Sequence, residues 1–219
     1  MPGYILFILM DFGIGALIPG IGRLGFQSPG LRLYLGIGLA PIAVFLLHRI
    51  AGISLYASVL ILVAFAFIGL VLISRRLLRN RPPLADYSNP AILLPISVGA
   101  VAAIFGEINY LPYLGDEFSG WLNVAKQINA LERYAPEAMK FLQADYTPGW
   151  PLLMSFPGLL SGQFEERMLA LTPIAMHAGL LGLVFDLCNR ALEQFSGLPA
   201  SRRAVYSWLV VLLLLGAEA

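Results

Sequence analysis

Charged residues are scarce in this chain. They make up 12% of the 219 residues, whereas hydrophobic residues make up 58%. Soluble domains carry about 25% charged residues. So few charges among so many apolar residues are typical of a membrane protein, and we expect most of the chain to lie in a bilayer as helices.

Cysteine and histidine are equally scarce. Cys188 is the single cysteine, which excludes an intrachain disulfide and leaves the redox compartment undetermined. His48 and His177 are far apart in the sequence, so no cluster of histidine and cysteine metal ligands is predicted. No basic block alternates with aromatic residues, which sets nucleic-acid binding aside. The N-terminus lacks the basic segment and the cleavage site of a signal peptide.

Six apolar stretches approach the length of about 20 residues that a helix needs to cross a bilayer. They cover residues 4–21, 33–47, 53–73, 91–108, 168–187 and 205–216. This pattern predicts an all-α, polytopic transmembrane bundle of about six spans. We divide the chain into three amino-terminal membrane helices (1–90), a core with one long loop (91–187), and a loop with the start of a further span (188–219).

Arginine in the short connecting segments predicts the orientation. Segments 22–32, 74–90 and 188–204 are arginine-rich and fall on one side of the six-span arrangement, which the positive-inside rule assigns to the cytoplasm. Interval 107–167 falls on the other side and has eight acidic residues against four basic ones. We therefore expect loop 109–167 to be periplasmic or extracellular, in a multi-pass protein of the cell membrane. Arg49 does not fit this arrangement.

The long loop carries helical patterns. Apolar residues recur at helical spacing from residue 118 to 128, with polar residues on the other face, which predicts an amphipathic helix lying in the membrane interface. Pro136 opens a second short helix that extends to about residue 143. Residues 145–158 are rich in proline, glycine and aromatics and are expected to lead back to the bilayer.

An acidic pair, Asp116 and Glu117, precedes the amphipathic helix. Both residues fit an ordinary helix start, in which Asp116 caps the first turn and Glu117 faces the positive end of the helix dipole. The pair also fits a site at the membrane surface, in which a carboxylate takes a proton from an acceptor hydroxyl. One aspartate can serve both purposes, because helix-start amides keep it ionised.

Two motifs in this loop resemble a known family. The sequence GDEFSGW at 115–121, followed by an amphipathic helix and by YTPGWP at 146–151, is similar to the first extracytoplasmic loop of GT-C-type glycosyltransferases. The most similar branch is bacterial and related to protein mannosyltransferases and lipid A sugar transferases. Gly115 departs from the tryptophan common in that family before the acidic pair, and Thr147 departs from the first proline of the second motif.

The resemblance implies an enzyme and a site. Such enzymes move a sugar from a polyprenyl-phosphate donor to an acceptor hydroxyl, with inversion. Asp116 would be the general base, with Glu117 orienting the acceptor or holding a divalent cation, if one is used. The substrate would be bound by residues of both motifs and of the helix between them: Trp121, Lys126, Tyr146, Pro148 and Gly149. The acceptor, whether glycolipid, polysaccharide or protein, stays open.

Several other residues have two interpretations each. The departing phosphate needs cations, and the loop offers Lys126, Arg133, Lys140 and Arg167, each of which also fits a side chain that reaches to the interface. Trp150 fits a membrane-interface anchor as well as the rim where the lipid enters. Glu107 is either a second acid near the site or an interfacial charge.

Three residues in the predicted spans are expected to be structural. Asp11 lies within a glycine-rich span, and we expect its carboxylate to be paired within the bundle, although an intramembrane acid is also a functional candidate. His177 is expected on a packing face of small residues with its hydrogen bonds satisfied. Cys188 is expected to fill space at a helix end.

GT-C-type enzymes have many more than six spans, so we expect this chain to be the amino-terminal part of a longer enzyme and to be inactive alone. The alternative class is a non-enzymatic polytopic membrane protein, such as a transporter half or an assembly subunit. Asp11 and the glycine- and proline-interrupted first span favour that alternative.

Overall fold

A computed structural model describes residues 2–18, 28–79, 88–105, 122–134, 149–164 and 171–217. Within these residues every regular element is an α-helix, and the all-α prediction is confirmed. The helices are α1 (Pro2–Ala16), α2 (Pro29–Arg49), α3 (Leu55–Arg79), α4 (Pro90–Phe105), α5 (Leu122–Leu131), α6 (Gly149–Ser161), α7 (Leu171–Ser196) and α8 (Ala200–Ala217).

Each of the six predicted spans overlaps one of these helices. Among the described helices, α1 is apolar but shorter, and the predicted bundle of about six spans is not confirmed. By length and composition, α2 and α3 are apolar enough to cross a membrane. These two helices indicate membrane association, in agreement with the composition.

Several helix boundaries differ from the prediction. Helix α2 starts at Pro29, because Ser28 caps it by accepting a hydrogen bond from the N–H of Leu31 at 2.9 Å. Helix α3 continues to Arg79 and α7 to Ser196, so parts of two predicted arginine-rich loops are helical. Cys188 therefore lies inside α7 and not at a helix end, and that prediction was wrong.

Glycines bring α1, α2 and α3 into backbone contact. A Cβ atom at Gly36 of α2 would collide with the carbonyl oxygen of Asp11, and one at Gly15 of α1 with that of Arg32. Gly13 of α1 packs in the same way against Gly69 and Ala66 of α3. Small residues of this kind let membrane helices approach closely and gain dispersion energy where the hydrophobic effect between them is absent.

Helix α7 joins the remaining helices to this three-helix unit. It packs against α2, α4 and α8. Phe185 of α7 is fully buried and makes an edge-to-face contact with Trp208 of α8, with ring centroids 6.0 Å apart. Helix α6 packs against α1, α2 and α5, so the two helices from the predicted long loop rest on the bundle.

Candidate functional site

Most of the predicted site lies outside the described residues. This is true of both candidate catalytic carboxylates, Asp116 and Glu117, and of three candidate substrate-binding residues, Trp121, Tyr146 and Pro148. Lys126 and Gly149 are described. The candidate site is therefore built here from α5, α6 and the helices they touch.

Helix α5 has the amphipathic character predicted from the sequence. Val124, Ala125 and Ile128 are buried, and Lys126 is half-buried. The side-chain amide of Asn129 donates to the carbonyl oxygen of Ser155 in α6 at 2.9 Å. The apolar face of α5 is thus covered by protein at α6.

Helix α6 is a finding that sequence reasoning missed. The segment 145–158 was expected to be a proline- and glycine-rich return to the bilayer, yet residues from Gly149 onward are helical and Pro151–Leu159 are all buried. Pro151 is accommodated because it lies in the first turn, where a backbone N–H has no helical partner to lose. A helix buried on every side needs no amphipathic pattern, so its sequence carried no helical period.

An apolar cavity of about 410 Å³ lies beside the first turn of α6. Its walls come from the middle of α2, the start of α6 and one residue of α7, and the lining includes Tyr34, Gly38, Pro41, Gly149, Trp150 and Met176. The volume lies within the range of about 300–1,000 Å³ usual for small-molecule sites. Gly149 and Trp150 belong to the second motif, so the described part of that motif borders a cavity.

Two features make the cavity wall specific. Gly38 and Gly149 leave open space, since a Cβ atom built at either residue meets no atom within 4 Å. Pro41 has no N–H to donate to the carbonyl group of Ile37, which also lines the cavity. The lining is apolar, and the carbonyl group of Ile37 lacks its helical N–H donor because residue 41 is proline.

His48 ties the end of α5 to the end of α2. Its Nδ1 lies 2.8 Å from the carbonyl oxygen of Ile53, which can only accept, so Nδ1 carries the proton. Its Nε2 then accepts the backbone N–H of Tyr134 at 3.3 Å. The Tyr134 ring meets Phe45 edge to face, with centroids 6.0 Å apart. Glu132 ends α5 in the left-handed conformation, with φ of 49°.

Asp11 and His177 differ from expectation. Asp11 is 0% exposed, but neither carboxylate oxygen has a hydrogen-bond partner among the described residues, so the predicted pairing is not found there. His177 is exposed, and its Nδ1 lies 2.8 Å from the carbonyl oxygen of Pro173 in the same helix. Ala175 and Ala178 form the buried small-residue face of α7. His177 lies on the exposed side of the same helix, not on that face.

Of the remaining charged candidates in the predicted loop, one is described by the structure. Arg133 is exposed just after α5, whereas Glu107, Lys140 and Arg167 lie outside the described residues. Among the described residues no group of three or more histidine, cysteine, aspartate or glutamate side chains is arranged to hold a metal ion. The divalent cation beside Glu117 stays a prediction.

One polar cluster was not predicted at all. Asp186 of α7 accepts hydrogen bonds from the hydroxyl of Ser28, from the N–H of Gly30 at 3.3 Å and from the amide of Asn89 at 2.8 Å. Asn89 in turn caps α4 by accepting the N–H of Ala91 at 2.8 Å. The sequence did contain a signal, because a capping residue precedes a proline both in Ser28-Pro29 and in Asn89-Pro90.

Comparison of the sequence with protein-family models and with curated proteins, and of the fold with solved structures, finds no match.

Proposed function

We propose that this chain is part of a multi-pass membrane glycosyltransferase that uses a sugar donor linked to polyprenyl phosphate. One observation carries the proposal: Gly149 and Trp150, from the motif that resembles the lipid-binding rim of GT-C-type enzymes, line an apolar cavity in a membrane-type helical bundle. An apolar cavity of this size suits an isoprenoid chain, and none of its lining residues carries a charge that would bind the phosphates of a free nucleotide sugar.

The proposed reaction needs few protein groups. Asp116 removes the proton from the acceptor hydroxyl as its oxygen attacks the anomeric carbon from the face opposite the phosphate. The bond from the anomeric carbon to the phosphate oxygen breaks, and polyprenyl phosphate leaves with that electron pair. The configuration at the anomeric carbon is inverted. Phosphate is a good leaving group, so the cations around it need only stabilise its charge, and Lys126 and Arg133 are the described candidates.

The proposed topology has six spans, with the acidic interval outside the cell membrane. Helix α2 supports it, because its 21 residues are about 30 Å long and have different partners at each end. At its end, His48 contacts Tyr134 from the acidic interval. At its start, Ser28 contacts Asp186, which precedes the arginine-rich segment 188–204. The acidic and basic segments thus meet opposite ends of one membrane-length helix.

The test is a transfer assay in membranes that contain the intact protein, with labelled sugar on polyprenyl phosphate. Asp116→Asn should lower the transfer rate by roughly 10²- to 10⁴-fold, the usual contribution of a general base. Glu117→Gln should have a smaller effect on the rate. Unchanged transfer by Asp116→Asn would remove Asp116 from its proposed role.

A second candidate function has one observation in its favour. The buried carboxylate of Asp11, with no partner among the described residues, suits a transporter half better than a transferase. Asp11→Asn separates the two classes. A solute flux that is lost in Asp11→Asn and retained in Asp116→Asn favours the transporter. Sugar transfer that is lost in Asp116→Asn and retained in Asp11→Asn favours the enzyme.

A further inference from the structure

Two arginines lie near one end of the bundle. Arg32 lies in the first turns of α2 and is half-buried, and Arg76 lies near the end of α3. Neither guanidinium group forms an ion pair or a hydrogen bond with another described residue. Within the described part of the chain, these two cations at the end of a tightly packed helical unit therefore have no bound carboxylate.

The packing of α1 brings these two arginines to one place. Gly15 touches the backbone of Arg32, and two residues earlier Gly13 touches the backbone of Gly69 on α3. Arg76 is seven residues beyond Gly69, a distance of roughly 10 Å along the helix. Long arginine side chains span much of that distance, and the positive charges of Arg32 and Arg76 repel each other.

The local charge balance stays positive. Asp186 attracts both Arg32 and Arg190, whereas Arg32 also faces the positive charge of Arg76. That carboxylate already accepts hydrogen bonds from Ser28, Gly30 and Asn89. Arg32, Arg76 and Asp186 together carry a net charge of +1, which attracts anions.

An apolar surface leads away from Arg76 along α3. Ile68, Leu72 and Arg76 follow one another at intervals of four residues, so they lie on one face of the helix. The side chains of Ile68 and Leu72 are 50% and 44% exposed. A cation at the end of an exposed apolar strip matches a phospholipid, in which a phosphate sits at the end of an acyl chain.

We propose that Arg32 and Arg76 bind the phosphate of an anionic phospholipid whose acyl chain lies along Leu72 and Ile68. The planar guanidinium group pairs with phosphate oxygens through two parallel hydrogen bonds, and a phosphate between the two arginines offsets their repulsion. Anionic lipids are the natural occupant, because basic pockets between membrane helices on the cytoplasmic side bind such head groups. This inference requires the membrane placement proposed above but not sugar transfer, so either can fail without the other.

The experiment is native mass spectrometry of the intact protein in detergent, titrated with phosphatidylglycerol, with zwitterionic phosphatidylcholine, with glycerol phosphate and with inorganic phosphate. We expect phosphatidylglycerol to bind at least tenfold more tightly than each of the other three probes. Arg76→Gln should weaken that binding about fivefold or more, which corresponds to about 1 kcal/mol per arginine. Arg202→Gln, which removes the same charge from an exposed position on α8, should change it less than twofold.

Two results would overturn the proposal. Equal binding of phosphatidylglycerol by the wild type and by Arg76→Gln would remove the arginine pair from the site. Equal binding of glycerol phosphate and phosphatidylglycerol would make this a site for soluble phosphate compounds and exclude the lipid. Arg76 is exposed, so Arg76→Gln keeps the test valid even where Arg32→Gln fails to fold.

Discussion

The carboxylate of Asp186 and the side-chain amide of Asn89 form a hydrogen bond of 2.8 Å that joins the middle of α7 to the capped start of α4. The same carboxylate holds Ser28, which caps α2. Two helix starts that are 61 positions apart in the sequence are thus fixed by one aspartate of a third helix. The interhelical geometry at this end of the bundle depends on Asp186.

Replacing Asp186 should therefore destabilise the protein. Asp186→Ala removes the acceptor of the Ser28 hydroxyl and one of two acceptors of the Asn89 amide, which also donates to the carbonyl oxygen of Gly182 at 3.3 Å. Each buried donor left unsatisfied costs about 1–3 kcal/mol. We expect a loss of roughly 2–5 kcal/mol, measured as a fall in the unfolding midpoint in detergent. Glu193→Gln is the control, because the Glu193 side chain is 62% exposed, so the loss of its 3.2 Å ion pair with Arg203 (17% exposed) should cost less than about 1 kcal/mol. Equal effects of both variants would contradict the role of Asp186.

Two glycines on the same helix should respond in opposite ways to alanine. Gly36→Ala forces a methyl group against the backbone of Asp11 and should destabilise by about 1–3 kcal/mol through overpacking. Gly38→Ala points into open space and should be neutral or stabilising by up to about 1 kcal/mol, since alanine favours helix. Thermal unfolding of the two variants measures the difference, and a Gly36→Ala variant as stable as Gly38→Ala would disprove the close contact.

A larger residue at Gly38 should fill the cavity. Gly38→Leu places its side chain in space that a polyprenyl chain would occupy, so donor binding should fall at least tenfold while the unfolding temperature stays unchanged. Gly216→Leu is the control, because Gly216 is also open but lies on α8, away from the cavity. Retention of full donor binding by Gly38→Leu would show that the chain binds elsewhere.

Replacing His48 and replacing His177 should have different effects on hydrogen exchange at the Tyr134 amide. His48→Ala removes the acceptor for the Tyr134 N–H, and the loss of about 1 kcal/mol corresponds to roughly fivefold faster hydrogen exchange at that amide. His177→Ala should leave exchange at Tyr134 unchanged, because the hydrogen bond of His177 is to Pro173 in its own helix. Hydrogen exchange read by mass spectrometry on a peptide covering 131–134 provides the measurement, and equal exchange in both variants would exclude the tether.

Apolar content made much of the fold predictable. Each of the six apolar stretches overlaps a helix, as the all-α prediction requires. The buried face of α5 was predictable from Val124, Ala125 and Ile128, which follow the helical period. Helix ends were less predictable, since α3 and α7 continue into polar sequence once the apolar segment is over.

Contacts between distant segments were not predictable. Asp186 was not selected from the sequence, because its partners Ser28 and Asn89 are 158 and 97 positions away. The cavity beside Gly149 depends on the way α6 packs against α2, which no local pattern encodes. The roles of Asp116 and Glu117 stay predictions from the resemblance.

The most direct measurement of the central claim is photo-crosslinking of the protein with a polyprenyl phosphate that carries a diazirine on its isoprenoid chain. The experiment requires neither the acceptor nor the sugar to be known. Our account predicts labelling of peptides 34–42 and 149–153, which line the cavity, and loss of that labelling when unlabelled polyprenyl phosphate is added. Labelling confined to exposed apolar surfaces such as 209–215 of α8, with no effect of competitor, would contradict it.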